Sequence, residues 1–189
     1  HDTMSERPDM ASTDLSDRTG MVIEHVKAVA RAAGFDACGI ASVDAEGDDG
    51  FDAWLDAGMH AGMTWMAAIR HVRQRVTLFL EGARSVVVLA ANYHAPSPSL
   101  PGGLRGKVAR YARFRDYHRA LRRAVLRVAE AIREGMPEAQ VRISIDSAPV
   151  RERAWAARAG VGWIGKNSLV IVPGLGSWCF LATVVTTAA

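Results

Sequence analysis

The sequence predicts an α/β domain, a layered mixed sheet flanked by helices, and three observations predict it. Runs rich in β-branched residues, at 85–93 and 178–185 above all, alternate with stretches whose apolar residues recur at helical spacing. Half of the residues are apolar (49%), enough for a packed interior. The 189 residues suffice for one domain with a sizeable core.

Residues 1–19 are polar and without periodicity, so they read as a disordered leader or a tag remnant, and the domain is taken as 20–189. From Gly20, the spacing of Val22, Ile23, Val26, Val29 and Ala30 predicts a helix that ends at Gly34. A first strand with small residues follows at 35–43, where Cys38 reads as a buried small hydrophobe. A helix begins at Phe51, and the methionine-rich stretch 58–66 comes after it. Residues 85–93 form a near-continuous apolar run, the pattern of a central strand. The Pro/Ser/Gly-rich loop 94–106 is a candidate mobile lid. Asp116 can cap a long helix ending near Gly135, whose apolar stripe is Tyr117, Leu121, Ala124, Val125, Val128 and Ile132. Two strands, 168–172 and 178–185, are joined by Pro173-Gly174-Leu175-Gly176, a hairpin signal.

Composition narrows the functional classes. No apolar run reaches the roughly 18 residues of a membrane span, and the first residues lack the basic and apolar regions of a signal peptide. With only Cys38 and Cys179 there is no disulfide framework and no zinc spacing. A cytoplasmic protein with no resident metal and no membrane partner is expected. The net charge of +3 is ordinary, but its distribution is not. Between Arg105 and Glu134 lie ten basic residues against three acids, Asp116, Glu130 and Glu134. Such a stretch suits either a polyanion or a solvated helix face.

The chemistry centres on residues 145–168. A β-like run, 141–145, delivers Asp146; Ser147 and Pro149 then turn the chain into a helix at 150–159, which Asp146 or Ser147 could cap. Gly160, Gly162 and Gly165 follow, with Trp163 and Lys166 among them. Two phosphate-loop patterns match here by letters, G-x-x-x-x-G-K and G-x-G-x-x-G. Both need a strand before the loop and a helix after it, and here the order is reversed. Asn167 also stands where the first pattern needs Ser or Thr. A nucleotide phosphate site is therefore not expected.

The motifs in order are Tyr111-Ala112-Arg113, Asp116-Tyr117-His118, Asp146-Ser147-Ala148-Pro149, Glu152-Arg153, Ala159-Gly160, Gly162-Trp163, Gly165-Lys166-Asn167-Ser168, and Gly176-Ser177-Trp178 with Phe180-Leu181. Over 20–189 the sequence resembles the epoxyqueuosine reductase family, cobalamin-dependent iron–sulfur enzymes of tRNA modification. It departs from the family at Glu81-Gly82-Ala83, where Pro-Gly-Ala is usual.

The resemblance implies a cobalamin-binding fold shared with reductive dehalogenases and related to flavin nitroreductases. It implies reduction of epoxyqueuosine to queuosine in the tRNA anticodon loop, the last step of queuosine biosynthesis. Asp146 would be the proton donor to the opening epoxide, and helix capping is its alternative role. Ser147, Gly162, Trp163, Lys166, Asn167 and Ser168 would contact the corrin. Tyr111, Tyr117 and His118 would border the substrate, with Arg119, Arg122 and Arg123 on the same side. The methionine-rich stretch would line the corrin site, while Glu152 and Arg153 would pair and fix the loop.

The family's two 4Fe-4S clusters need eight cysteines, and their ligands are absent from this sequence. A chain truncated before that segment is expected, supplied with electrons from outside and monomeric. The alternative is a free-standing cobalamin- or flavin-binding module without turnover of its own.

Overall fold

The computed structural model describes residues 10–47, 50–96, 106, 108–113 and 115–189. In chain order the elements are α1 (Met10–Ala32), β1 (Ala37–Ser42), α2 (Phe51–Asp56), α3 (Thr64–Ala68), α4 (Arg70–Gln74), α5 (Val76–Phe79) and β2 (Ser85–Asn92). Then come α6 (Tyr117–Gly135), β3 (Val141–Ser144), α7 (Glu152–Arg158), β4 (Trp163–Ile164), β5 (Val170–Ile171) and β6 (Cys179–Thr186). The first helix runs from Met10, so Gly20 lies within it rather than at its start. The lid expected at 94–106 falls largely outside the described residues.

Four strands form one sheet in the order β1-β2-β6-β3. Its strands alternate their side chains between two helical layers. Val87, Leu89 and Ala91 of β2, with Ala182 and Val184 of β6, face Val26 and Ala30 of α1 and Val125, Val128 and Ile132 of α6. Val86, Val88 and Ala90, with Val185, face Trp155 and Ala156 of α7 and Val76 and Phe79 of α5. A strand covered on both sides must be apolar at every position, which is why β2 reads as an unbroken hydrophobic run. The long helix keeps the expected stripe, and Asp116 caps it by accepting the His118 N–H at 3.0 Å. Cys38 packs against the first layer, and burial pushes its thiol up to about 11, as befits a small hydrophobe.

The α/β layering is as expected, but three details differ. Every pairing in the four-stranded sheet is antiparallel, not mixed. The hairpin expected from Pro173-Gly174-Leu175-Gly176 shrinks to one bridge between Val172 and Gly176. Strand β5 pairs with β4 instead, and β6 enters the sheet between β2 and β3. The reason is burial: Ala182, Val184 and Val185 are apolar toward both layers, and only a central position covers both faces. The third difference is that α7 begins at Glu152, not at residue 150.

Gly39 explains how α7 sits so close to the sheet. A Cβ there would lie 2.2 Å from the Ala159 carbonyl oxygen, so only glycine lets the end of α7 rest on β1. That contact fixes the loop after α7 above the sheet. Among the described residues, no helix is long and apolar enough to cross a membrane.

Candidate active site around Asp146

Asp146 follows β3 after one buried residue, Ile145, and sits at φ 59, a left-handed conformation that aspartate tolerates better than most residues. The Ser147 N–H closes a three-residue turn onto the Ile145 carbonyl at 2.7 Å, and Asp146 stands at its apex. The carboxylate does not cap the next helix. That helix starts six residues on, and its N-cap, Arg151, makes no side-chain capping bond. Asp146 instead projects outward, 68% exposed, and its Oδ2 accepts a hydrogen bond from the Tyr117 hydroxyl.

The partner side is an aromatic stack on the first turn of α6. Tyr117 lies flat on Phe180 of β6 at 4.2 Å between ring centroids and an interplanar angle of 6°. His118 covers its other face at 4.1 Å. Burial, then the bond to Asp146, raises the Tyr117 hydroxyl above its ordinary 10, so it remains a donor. The imidazole is held at both ends: Nδ1 lies 2.8 Å from Asp116 Oδ1, and Nε2 lies 3.9 Å from Asp146 Oδ2. The Asp116 carboxyl is held below its usual range, first by the side-chain bond to His118 and then by the His118 N–H.

Behind Asp146 lies a second carboxyl. Glu152, at the start of α7, accepts from the buried Ser144 hydroxyl at 2.8 Å, and burial pushes its carboxyl up. The ion pair expected between Glu152 and Arg153 does not form, because neighbouring residues on a helix point away from each other. Arg153 still fixes the loop, by donating to the Ser168 carbonyl.

Asp146, Glu152 and Arg153 edge a cavity of about 620 Å³. Its apolar wall includes Phe51, Trp54, Met63, Met66 and Ile164, and its polar wall includes Asp146, Glu152, Arg73 and Ser168. The Arg73 Nε is buried with no acceptor among the described residues, and its guanidinium lies 5.5 Å from the Trp65 ring centroid. The methionine-rich stretch thus supplies two of the lining residues.

The other expected site residues are distributed unevenly. Ser168, at φ 62, lines the cavity, and Ser147 adjoins Asp146. Trp163 is 52% exposed beside the lining residue Ile164. Lys166 and Asn167 are exposed, and the Asn167 side chain accepts the Leu169 N–H at 3.2 Å, shaping its own turn. Gly162 is glycine for an internal reason: a Cβ there would lie 2.3 Å from the Ile171 carbonyl oxygen. Tyr111 is exposed and makes no hydrogen bond to Asp146. Arg119, Arg122 and Arg123 lie exposed on α6, just past the His118 end. Arg73, Ser144, Phe51 and Trp54 were not singled out from the sequence. The sequence signal for this wall is the methionine-rich stretch 58–66, through the family resemblance.

A family model described as "Epoxyqueuosine reductase QueG, DUF1730" matches residues 73–147. An epoxyqueuosine reductase from Synechocystis sp. is 39% identical over 152 residues, covering 78% of this chain and 52% of its own. One from Synechococcus sp. is 37% identical over 178 residues, covering 92% and 54%. Over most of its length the chain is similar to epoxyqueuosine reductases. It spans about half the length of the curated relatives it matches.

Solved epoxyqueuosine reductases share the fold. The one from Streptococcus thermophilus superposes with a TM-score of 0.73 at 26% identity, over 87% of this chain and 45% of that one. Another, solved with an epoxyqueuosine-modified tRNA stem loop, gives 0.74 at 23%, over 89% and 46%. A reductive dehalogenase whose structure bears on B12-dependent dehalogenation gives 0.50 at 14%, over 98% and 25%. The fold shared by epoxyqueuosine reductases and reductive dehalogenases is thus the one expected.

Proposed function

We propose that this chain is the cobalamin- and substrate-binding part of an enzyme that reduces epoxyqueuosine to queuosine in tRNA. The observation that carries the reading is Asp146: a carboxyl at a strained turn, oriented by Tyr117, on the wall of a large cavity. Those features suit a proton donor, and the role of helix cap falls away.

The cavity suits a corrin. A flat apolar ring needs a broad apolar wall, which Phe51, Trp54, Met63, Met66 and Ile164 provide. The ring's amide arms need polar partners, and Arg73 carries an orphaned buried donor while Ser168 adds a hydroxyl. Ser147, Trp163 and Asn167 are chain neighbours of the lining residues Asp146, Ile164 and Ser168, and with Gly162 and Lys166 they are assigned to the corrin's edge. Cobalamin, when bound, would supply the reducing equivalents at the epoxide carbon.

The chain's own residues handle the proton and the substrate. Opening the epoxide builds negative charge on oxygen, and Asp146 delivers a proton there. Its carboxyl must be neutral at the moment of transfer. Tyr117 fixes the carboxyl by its hydroxyl, and Tyr111 and His118 border the substrate. Arg119, Arg122 and Arg123 lie beside this end of α6, placed to meet anticodon-loop phosphates. Two electrons and two protons convert epoxide to alkene and water. The electrons come from an external donor through two 4Fe-4S clusters whose ligands this sequence does not contain. The setting is the cytoplasm, and the unit a monomer.

The test is reconstitution of the complete enzyme with cobalamin and a reductant, followed by assay of an epoxyqueuosine-bearing stem loop. The expected results are a corrin visible spectrum and queuosine in the RNA. A flavin spectrum, or a bound corrin with no product, would overturn the reading.

A further inference from the structure

We propose that His118, held by Asp116, is the residue that returns a proton to Asp146 after each turnover. The inference rests on Asp146 being the proton donor. A donor that has given up its proton must regain one before it can act again. Asp146 lines the cavity, so a ligand bound there covers it; His118 does not line the cavity and its side chain is 41% exposed.

The three side chains form a continuous chain that ends at the cavity-lining Asp146. Asp116 Oδ1 faces Nδ1 at 2.8 Å, and Nε2 faces Asp146 Oδ2 at 3.9 Å. Stacking on Tyr117 at 4.1 Å holds the ring between the two carboxyls. The same tyrosine donates to the same Asp146 oxygen, so the receiving atom is fixed relative to the ring.

The step balances without any further reagent. Asp146 passes its proton to the substrate oxygen and becomes a carboxylate. The imidazolium passes its Nε2 proton to Asp146, directly after a small ring movement or through one water, since 3.9 Å exceeds a direct bond. His118 is left neutral with its remaining proton on Nδ1, donated to Asp116. A solvent acid then protonates Nε2.

Several charged groups surround this chain. On α6 itself, Asp116, Tyr117 and Arg119 are close, with Arg119 Nε 3.9 Å from Asp116 Oδ2. From other elements come Asp146, with Glu152 of α7 and Arg73 of α4 interacting with it from behind. Asp116 holds the proton of Nδ1, which leaves Nε2 as the nitrogen that exchanges. In this step His118 acts through Asp146, as a proton-supplying residue at the border of the substrate side.

Two measurements test this. The first is nitrogen-15 NMR of the cofactor-free chain, at a pH where the ring is neutral. The proton should sit on Nδ1, and Asp116→Ser, which keeps a helix cap but removes the carboxylate, should erase that preference. A neutral ring protonated on Nε2 in the wild type would overturn the proposal.

The second is kinetics of the complete, cobalamin-loaded enzyme carrying His118→Ala, or His118→Gln if that variant fails to fold. Repeated turnover should fall about tenfold or more relative to the same variant's first turnover, and added imidazole should restore it to the Ala variant. Equal loss in both phases, loss in neither, or no response to imidazole would sink the idea. A wild-type enzyme that makes no product would instead count against the proposed function, and the NMR measurement would still decide the pairing.

Discussion

A carboxyl can donate a proton only if it is aimed and, at the moment of reaction, neutral. Asp146 is aimed by backbone and side chain together: its φ of 59 turns it out of the strand line, and Tyr117 secures one oxygen. Asn is nearly isosteric and also tolerates that left-handed conformation, so Asp146→Asn should leave the melting temperature within a degree or two. It has no carboxylic proton, so epoxide reduction in the complete enzyme should fall on the order of 10²-fold or more while the corrin spectrum persists. Melting temperature, bound corrin and turnover on one preparation check this; near-wild-type turnover would remove Asp146 from the donor role. Glu152 gives a second prediction, on stability. Burial raises its carboxyl above the ordinary 4.5, so the folded chain holds this proton more tightly than the unfolded chain does. The contribution to stability is therefore intact below about 4.5 and lost as pH climbs through the raised value. Gln keeps an acceptor for Ser144 and carries no charge. Thermal unfolding across pH 4 to 8 should show Glu152→Gln matching wild type at the acid end and gaining on it as pH rises; parallel curves would refute the assignment.

At the scale of elements, α6 does two jobs with two faces. Its apolar stripe seals one side of the sheet, so Arg119, Arg122, Arg123 and Arg127 face solvent, and its first turn carries the Asp146 partners. If these arginines meet phosphates, RNA affinity should fall steeply with salt, with a log–log slope of roughly 0.7–0.9 per contact. Replacing all four by alanine should flatten the slope by about three, and a slope that does not move returns them to a plain solvated face. Much of this was legible beforehand, because helix stripes, caps and doubly buried strands are local patterns. The stripe from Tyr117 to Ile132, the Asp116 cap and the unbroken run of β2 all read directly. The start of α7 did not, because Ser147 and Pro149 are as typical of a turn as of a helix entry. Strand β6 was misassigned to a hairpin because its partners, β2 and β3, are distant in sequence. Nor could any local pattern join Asp146 to Tyr117, 29 residues away, or show that a Cβ at Gly162 would meet the Ile171 carbonyl.

For the whole molecule, the division of labour follows from what the chain contains. Its two helical layers cover both faces of the sheet, and the cavity opens among the short elements and loops outside them, where a ligand can enter without disturbing the core. The proposed binding wall, proton donor and arginine face all lie within these residues. Electron supply is not: iron–sulfur clusters are held by cysteine thiolates, and the 189 residues contain only Cys38 and Cys179. Burial raises both thiols above their ordinary 9, further from the thiolate form that binds iron. The 189-residue chain should therefore bind cobalamin, seen as a corrin spectrum that survives gel filtration, yet form no queuosine with a mild general reductant. If Asp146 is the donor proposed above, adding a cluster-bearing electron donor should start turnover on the same sample. Product from the chain and a mild reductant alone would show that electrons reach the site by another route, and the division drawn between binding and electron supply would have to be abandoned.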